Sequence, residues 1–196
     1  MTRMATAAPP SSTSFRDRFG IFAECLLTGV WITLAALPLI TLPAALAAGS
    51  RHLRTVLAHE PSGLRSFTAD FHAATRGGLA AGCAYLAAAG LLTLDLLAAR
   101  AGVPGSAAVG AVGVFGLLTL AVVMLRTATC WQPEASWRTL SATAIRRTAT
   151  DPMGSCLLLC TPAVIGASAA LSPPLAAPAL GIAAAAAIAV EQRASK

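Results

Sequence analysis

The apolar positions of this chain fall into long unbroken runs. They do not alternate as in a strand, and they do not narrow to the single stripe of a soluble helix. Gly20–Ala48 is the first run, free of basic residues and interrupted by Leu37-Pro38-Leu39-Ile40-Thr41-Leu42-Pro43. Gly77–Ala99, Ser106–Leu125, Met153–Leu171 and Leu175–Val190 follow, the last short and alanine-rich. Runs of this length with few charges read as membrane-crossing helices. The pattern predicts an all-α, polytopic transmembrane helical bundle of five spans, occupying residues 20–190 as one domain. A polar, proline- and serine-bearing lead-in over residues 1–19 is expected to be disordered, and residues 191–196 form a polar tail.

Between the runs lie two polar loops, 51–76 and 126–152. Each carries a helical stripe. Leu64, Phe67 and Phe71 recur at i, i+3 and i+7 after Pro61-Ser62, which predicts a short amphipathic helix over Ser62–Thr75. Trp137, Leu140, Ala144 and Ile145 predict a second. Both are expected on the cytoplasmic face, with Phe67, Phe71, Trp131 and Trp137 as interfacial anchors. Trp31, deep in the first run, is expected to pack on another helix. The stretch Glu60–Ala69 aligns with Glu134–Ala142, implying two parallel repeats of span, interfacial helix and span.

The first run is long for a single crossing: about 43 Å as a straight helix, against about 30 Å of hydrocarbon. Pro38 cannot donate to the carbonyl of Leu34, nor Pro43 to that of Leu39, so a kink is expected there. Pro38, Thr41 and Pro43 form the candidate hinge. Splitting the run at Pro38 leaves pieces of about 18 and 10 residues, the second too short to cross, and this favours one kinked span. Ala45-Leu46-Ala47 has the form of a signal cleavage site, but the long polar lead-in and the length of the run argue against cleavage.

Composition confirms the solvent. Apolar residues make up 56% and charged residues 11%, with a mean hydropathy of +0.71. A soluble domain needs roughly 25% charged residues to cover its surface. The net charge is +6, and ten of the 14 Lys and Arg fall in the two loops and the tail. With five spans these face one side. The positive-inside rule then puts the N-terminus outside and the C-terminus in the cytoplasm, with anionic lipid at the cytoplasmic face. No basic stretch is interleaved with aromatics, so no nucleic-acid partner is expected.

Candidate chemistry is sparse. The five cysteines form no Cys-x-x-Cys, no His stands at metal spacing, and no nucleophile or phosphate-loop signature occurs. Neither an enzyme nor a metal or cofactor is expected. His52, His59 and His72 read as solvated loop residues. Glu24 and Asp95 are the only carboxylates within the predicted spans. In the five-span topology both fall one turn from the outer end, making Glu24, Asp95 and Arg100 a candidate polar site. The competing account is that both are shallow and hydrated.

Leu37-Pro38-Leu39-Ile40-Thr41, after a Trp-containing apolar run and before Arg51-His52-Leu53, resembles the Leu-Pro-[Val/Ile]-[Val/Ile]-Thr signature of the YesL-like family of small bacterial integral membrane proteins. The aromatic segment Ser66–Thr75 is similar to the one that precedes the family's second span. Leu42-Pro43 stands where the family has Gly after the Thr. The resemblance implies a multi-pass protein of the bacterial inner membrane. It also implies an accessory or regulatory partner of a carbohydrate-uptake transporter. The alternative is a small transporter or channel built from two parallel helical-hairpin repeats.

Overall fold

The structure is a computed structural model, and it describes residues 15–101, 105–172 and 176–194. The described residues contain helices and their connections and no strand. Seven α-helices follow in order: α1 Phe15–Ala35, α2 Leu42–Leu57, α3 Leu64–Arg100, α4 Ser106–Thr129, α5 Trp137–Thr150, α6 Pro152–Leu171 and α7 Ala176–Ala194. Of these, α3, α4 and α6 are long and apolar enough to cross a membrane. The protein is therefore a helical membrane bundle. The expected tail is helical as far as Ala194, and residues 15–19 of the expected lead-in are the first turn of α1. Residues 1–14 and 195–196, and most of the two short turns near Pro104 and Pro173, lie outside the described residues.

The first apolar run is not one kinked span. Helix α1 stops at Ala35, Pro38 is extended (φ −79°, ψ 101°), and a single 3₁₀ turn, Leu39–Thr41, leads into α2. The physical cause is the pair of prolines. Pro38 stops the first helix, while Pro43 sits in the first turn of the next, where its missing N–H costs nothing. Thr41 fastens the reversal: its hydroxyl lies 2.6 Å from the carbonyl of Ala35 and 2.7 Å from that of Pro38 and donates between them. Helix α2 then runs back along α1. Gly49 meets Ile32 and Thr28, and His52 faces Glu24. The candidate hinge Pro38, Thr41 and Pro43 is thus a hairpin turn. The second helix is longer than the apolar run predicted because it continues through Arg51 and Arg54 to Leu57.

Helix α2 forms the centre of the bundle. Every residue from Pro43 to Ser50 is buried, as are His52 and Leu53. A helix covered on all sides needs a thin cross-section, and Ala44, Ala45, Ala47, Ala48 and Gly49 supply it. Its C-terminus is closed by His59 in the left-handed region (φ 58°), with the amide of Glu60 donating to Thr55 and that of His59 to Val56. This is the double bond pattern of a Schellman cap.

Helix α3 absorbs the first predicted amphipathic helix. Ser62–Thr75 is not a separate interfacial element; the chain from Leu64 continues through Gly77-Gly78 to Arg100 without a break. The glycine pair is a flat place on the helix, and Trp137 lies across it. The second amphipathic helix is present as α5, and it is set off from α6 by Asp151-Pro152. The two expected repeats therefore differ in build: one loop helix runs straight into its span, the other is turned off it.

The four expected anchors pack against other side chains of the bundle. Phe67 (4% exposed) and Phe71 stack near Trp31, while Trp131 (1%) and Trp137 (8%) pack on each other. Trp31 packs on His52 and Phe67, as its depth in the run implied. Gly110, Gly113 and Gly116 receive Ala99, Leu96 and Leu92 of α3. Pro162 leaves α6 unbroken, because the Thr161 hydroxyl donates to the Leu158 carbonyl that the proline cannot reach.

Helices α1 and α7 cross antiparallel at backbone contact. Gly29 faces the Ala177 carbonyl and Gly181 faces the Cys25 carbonyl, so neither has room for a Cβ. The start of α1 therefore lies beside the end of α7. A single first span would instead have put these two helix ends at opposite ends of the bundle. Gly29→Leu is expected to force the two helices apart and to cost about 1–3 kcal/mol. Gly90, with open space around it, should accept the same change. Thermal unfolding of both variants in mild detergent checks this, and equal melting points would contradict the close crossing.

Candidate functional site

Among the described residues, the charged side chains that the structure brings together form two groups. The larger is centred on Arg126, in the last turn of α4 and only 1% exposed. Its Nη2 donates to Asp151 Oδ2 at 3.0 Å and reaches Ser155 Oγ at 3.4 Å. Its Nη1 donates to Glu191 Oε1 at 3.1 Å. The other oxygen of Glu191 accepts from Arg147 of α5 at 2.6 Å and faces the thiol of Cys130 at 3.8 Å. One guanidinium thus joins the ends of α4, α6 and α7, and Glu191 adds α5. Its fork of donors suits two carboxylates at once, as a lysine's point charge does not. Only its Nε lacks a partner.

Asp151 serves two masters. As N-cap of α6 it accepts the amide of Gly154 at 2.9 Å through Oδ1, and it meets Arg126 through Oδ2. A Cβ on residue 154 would displace that carboxylate and crowd Arg126, so glycine here leaves the ion pair its room. The Gly154 amide first, and Arg126 second, hold the Asp151 carboxyl below the usual carboxylate range.

The second group joins α1, α2 and the start of α3. His52 is buried, with Nδ1 2.6 Å from Ser62 Oγ and Nε2 3.7 Å from Glu24 Oε2. Burial pushes the imidazole below its ordinary pKa, and the Glu24 carboxylate opposes that shift. Arg51 pairs with Asp70 at 3.3 Å beside it. The order Ser62, His52, Glu24 has the components of a proton relay, but Nε2 makes no hydrogen bond, and the main cavities are lined by other residues. The arrangement binds helices together.

The predicted polar site is not assembled. Glu24 sits with His52, near the Arg51–Asp70 pair, whereas Asp95 lies farther along α3, about 38 Å from Asp70. Asp95 and Arg100 make no ion pair or side-chain hydrogen bond among the described residues. The five-span topology had placed Glu24 beside Asp95; the α1–α2 reversal removes that premise. His52, read as solvated, is buried instead, while His59 and His72 are exposed. The Arg126 group was missed because its charged members were read as loop and tail. One signal was present: Arg126, Asp151 and Glu191 are opposite charges, each at the edge of an apolar run.

No protein family, curated protein or solved structure matches this chain.

Replacing Arg126 by Met leaves Glu191, 12% exposed, without its buried partner and is expected to cost about 3–5 kcal/mol. Adding Glu191→Gln and Asp151→Asn should recover most of that loss. Denaturant titration in detergent separates the two outcomes; a triple variant no better than Arg126→Met would contradict the pairing. The low pKa of Asp151 has a defined sign. Its contribution is fully present above the unfolded value of about 3.9 and is lost as pH falls from there through the folded value. Asp151→Asn keeps a capping acceptor and removes the charge, so it should flatten stability across that acid window.

Proposed function

We propose that this chain is an accessory or regulatory subunit of a bacterial inner-membrane complex, without catalytic activity of its own. Its partner class is the carbohydrate-uptake transporter that the YesL-like resemblance implies. The observation that carries the reading is the closed interior. Helix α2 is sheathed by its neighbours, the helix crossings are at backbone contact, and Arg126 with its carboxylates ties the charged helix ends together. The larger cavities lie on the flank between α3, α4 and α5, lined mainly by apolar side chains. This favours docking over the alternative of a small transporter or channel, which needs a polar path through the bundle.

In this reading α3, α4, α6 and α7 cross the bilayer, and α1 and α2 form a hairpin that returns to the side it left. Both ends of the chain then face the cytoplasm with the two loops. The positive-inside asymmetry sharpens, because Arg3, Arg16 and Arg18 join the basic side and Arg100 is left as the lone basic residue opposite. The apolar surface for docking is on the outer faces of α3 and α4, where Leu91, Leu94, Leu97, Val112 and Phe115 are exposed.

Two experiments test this. Fluorescent-protein fusions at either end should both light up in bacteria, and phosphatase fusions at both should be inactive. An active phosphatase at the N-terminus would overturn the topology. Purification from bacterial membranes in mild detergent should yield a permease in constant ratio with this chain. A lone protein whose vesicles conduct solute would instead establish the transporter.

A further inference from the structure

The flank of α3 carries a continuous groove whose two halves differ in chemistry. The upper half, about 1070 Å³, lies between α3 and α5; Arg76 and Arg138 line it, and Trp131 and Trp137 form its floor. The lower half, about 470 Å³, runs between α3 and α4 toward Leu92 and Phe115. The halves share Ala81, Ala84, Ser141 and Ile145, so they are one channel along the surface. From Arg76 to Leu92 it extends about 24 Å along α3, enough for a headgroup and one leaflet of hydrocarbon, itself about 15 Å.

The lining is matched to such a molecule. Small side chains on α3 open the space, as Gly77, Ala80, Ala81 and Ala84 place no bulk between the helices. Of the three hydroxyl-bearing side chains that line the lower half, Tyr85, Thr119 and Ser141, the tyrosine is already used: its Oη lies 3.2 Å from Thr127 Oγ1, whose own proton goes to the Val123 carbonyl at 2.7 Å, and the rest of the lining is aliphatic or aromatic. What the lower half offers a ligand is carbon. At the upper end the situation reverses. Arg76 and Arg138 are exposed and make no ion pair or side-chain hydrogen bond among the described residues, whereas Arg51, Arg126 and Arg147 are all paired with carboxylates. Two unpaired guanidinium groups above an apolar slot fit a phosphate joined to an acyl chain.

We propose that this groove is a binding site for one anionic phospholipid, its phosphate held by Arg76 and Arg138, its glycerol over Trp131 and Trp137, and one acyl chain laid along α3 toward Leu92. The proposal rests on the membrane reading but not on the accessory role, so either can fail alone. A bound lipid in this slot fills the flank between α5 and the α3–α4 pair and makes the outer face of the bundle sensitive to headgroup composition.

The test uses the full chain in mild detergent, delipidated, with tryptophan quenching by brominated lipids. Brominated phosphatidylglycerol should quench at about thirtyfold lower concentration than phosphatidylcholine bearing the same chains. The double variant Arg76→Gln/Arg138→Gln should bring the two lipids together. Arg65→Gln/Arg146→Gln removes equal charge from residues that line neither half, and should leave the preference intact. Ala84→Phe fills the junction and should weaken quenching by both lipids, with the helix content unchanged. Equal affinity for the two lipids in the unaltered protein would overturn the proposal, as would equal loss in the control variant. Displacement by glycerol phosphate alone would make the ligand a soluble phosphate instead. If Ala84→Phe converts a dimer to a monomer, the groove is an interface between two copies and the lipid assignment falls; a melting curve shows that the variant is folded before either is read.

Discussion

A guanidinium group removed from water sets the terms for this bundle. Arg126 is carried almost out of solvent at the end of α4, and such a charge is tolerable only if its partners come with it. Those partners are Asp151 and Glu191, at the N-cap of α6 and in the last turns of α7. Because each lies at a helix end, satisfying one side chain fixes where α4 and α7 stop relative to where α6 begins, and Arg147 brings α5 to the same place. Apolar packing against lipid gives helices little reason to choose one rotation or register, since lipid tails are as apolar as leucine. The ion pairs supply that choice.

Close backbone approach supplies the rest. Gly29 and Gly181 let α1 and α7 touch, Gly82 admits the carbonyl of Ile40 at the α1–α2 reversal, and the alanines of α2 let it pass through the middle. The outcome is an interior with little free space and an exterior that is mostly aliphatic. Such a molecule is suited to lie against something in the membrane. The flank groove, with Arg76 and Arg138 above an apolar slot, is the place where the same small-residue logic leaves room rather than closing it.

The helical membrane class was legible because it depends on summed hydropathy, and so were α4 and α6, whose runs are bounded by charges and prolines. The proline break at Pro38 was legible as a break. Its consequence was not: helix length was judged from apolar residues alone, and α2 recruits Arg51, His52 and Arg54 to reach Leu57. Once that helix turns back, Glu24 moves away from Asp95 and toward His52, so the predicted site dissolves for a topological reason rather than a chemical one. Phe67, Phe71, Trp131 and Trp137 were assigned to the interface by composition, yet Trp137 has a glycine pair and Phe67 has Trp31 to pack on.

Hydropathy, charge depletion and the missing proline N–H act locally along the chain, and they dictate the solvent of this protein, its helical character and the positions where helices break. Direction and partnership are set by the packed bundle. Whether a proline break bends a helix or reverses it depends on what the second helix finds beside it. Whether an arginine at a span end faces headgroups or carboxylates depends on residues 25 and 65 positions away. Those are pair interactions between distant segments, and no local pattern encodes them.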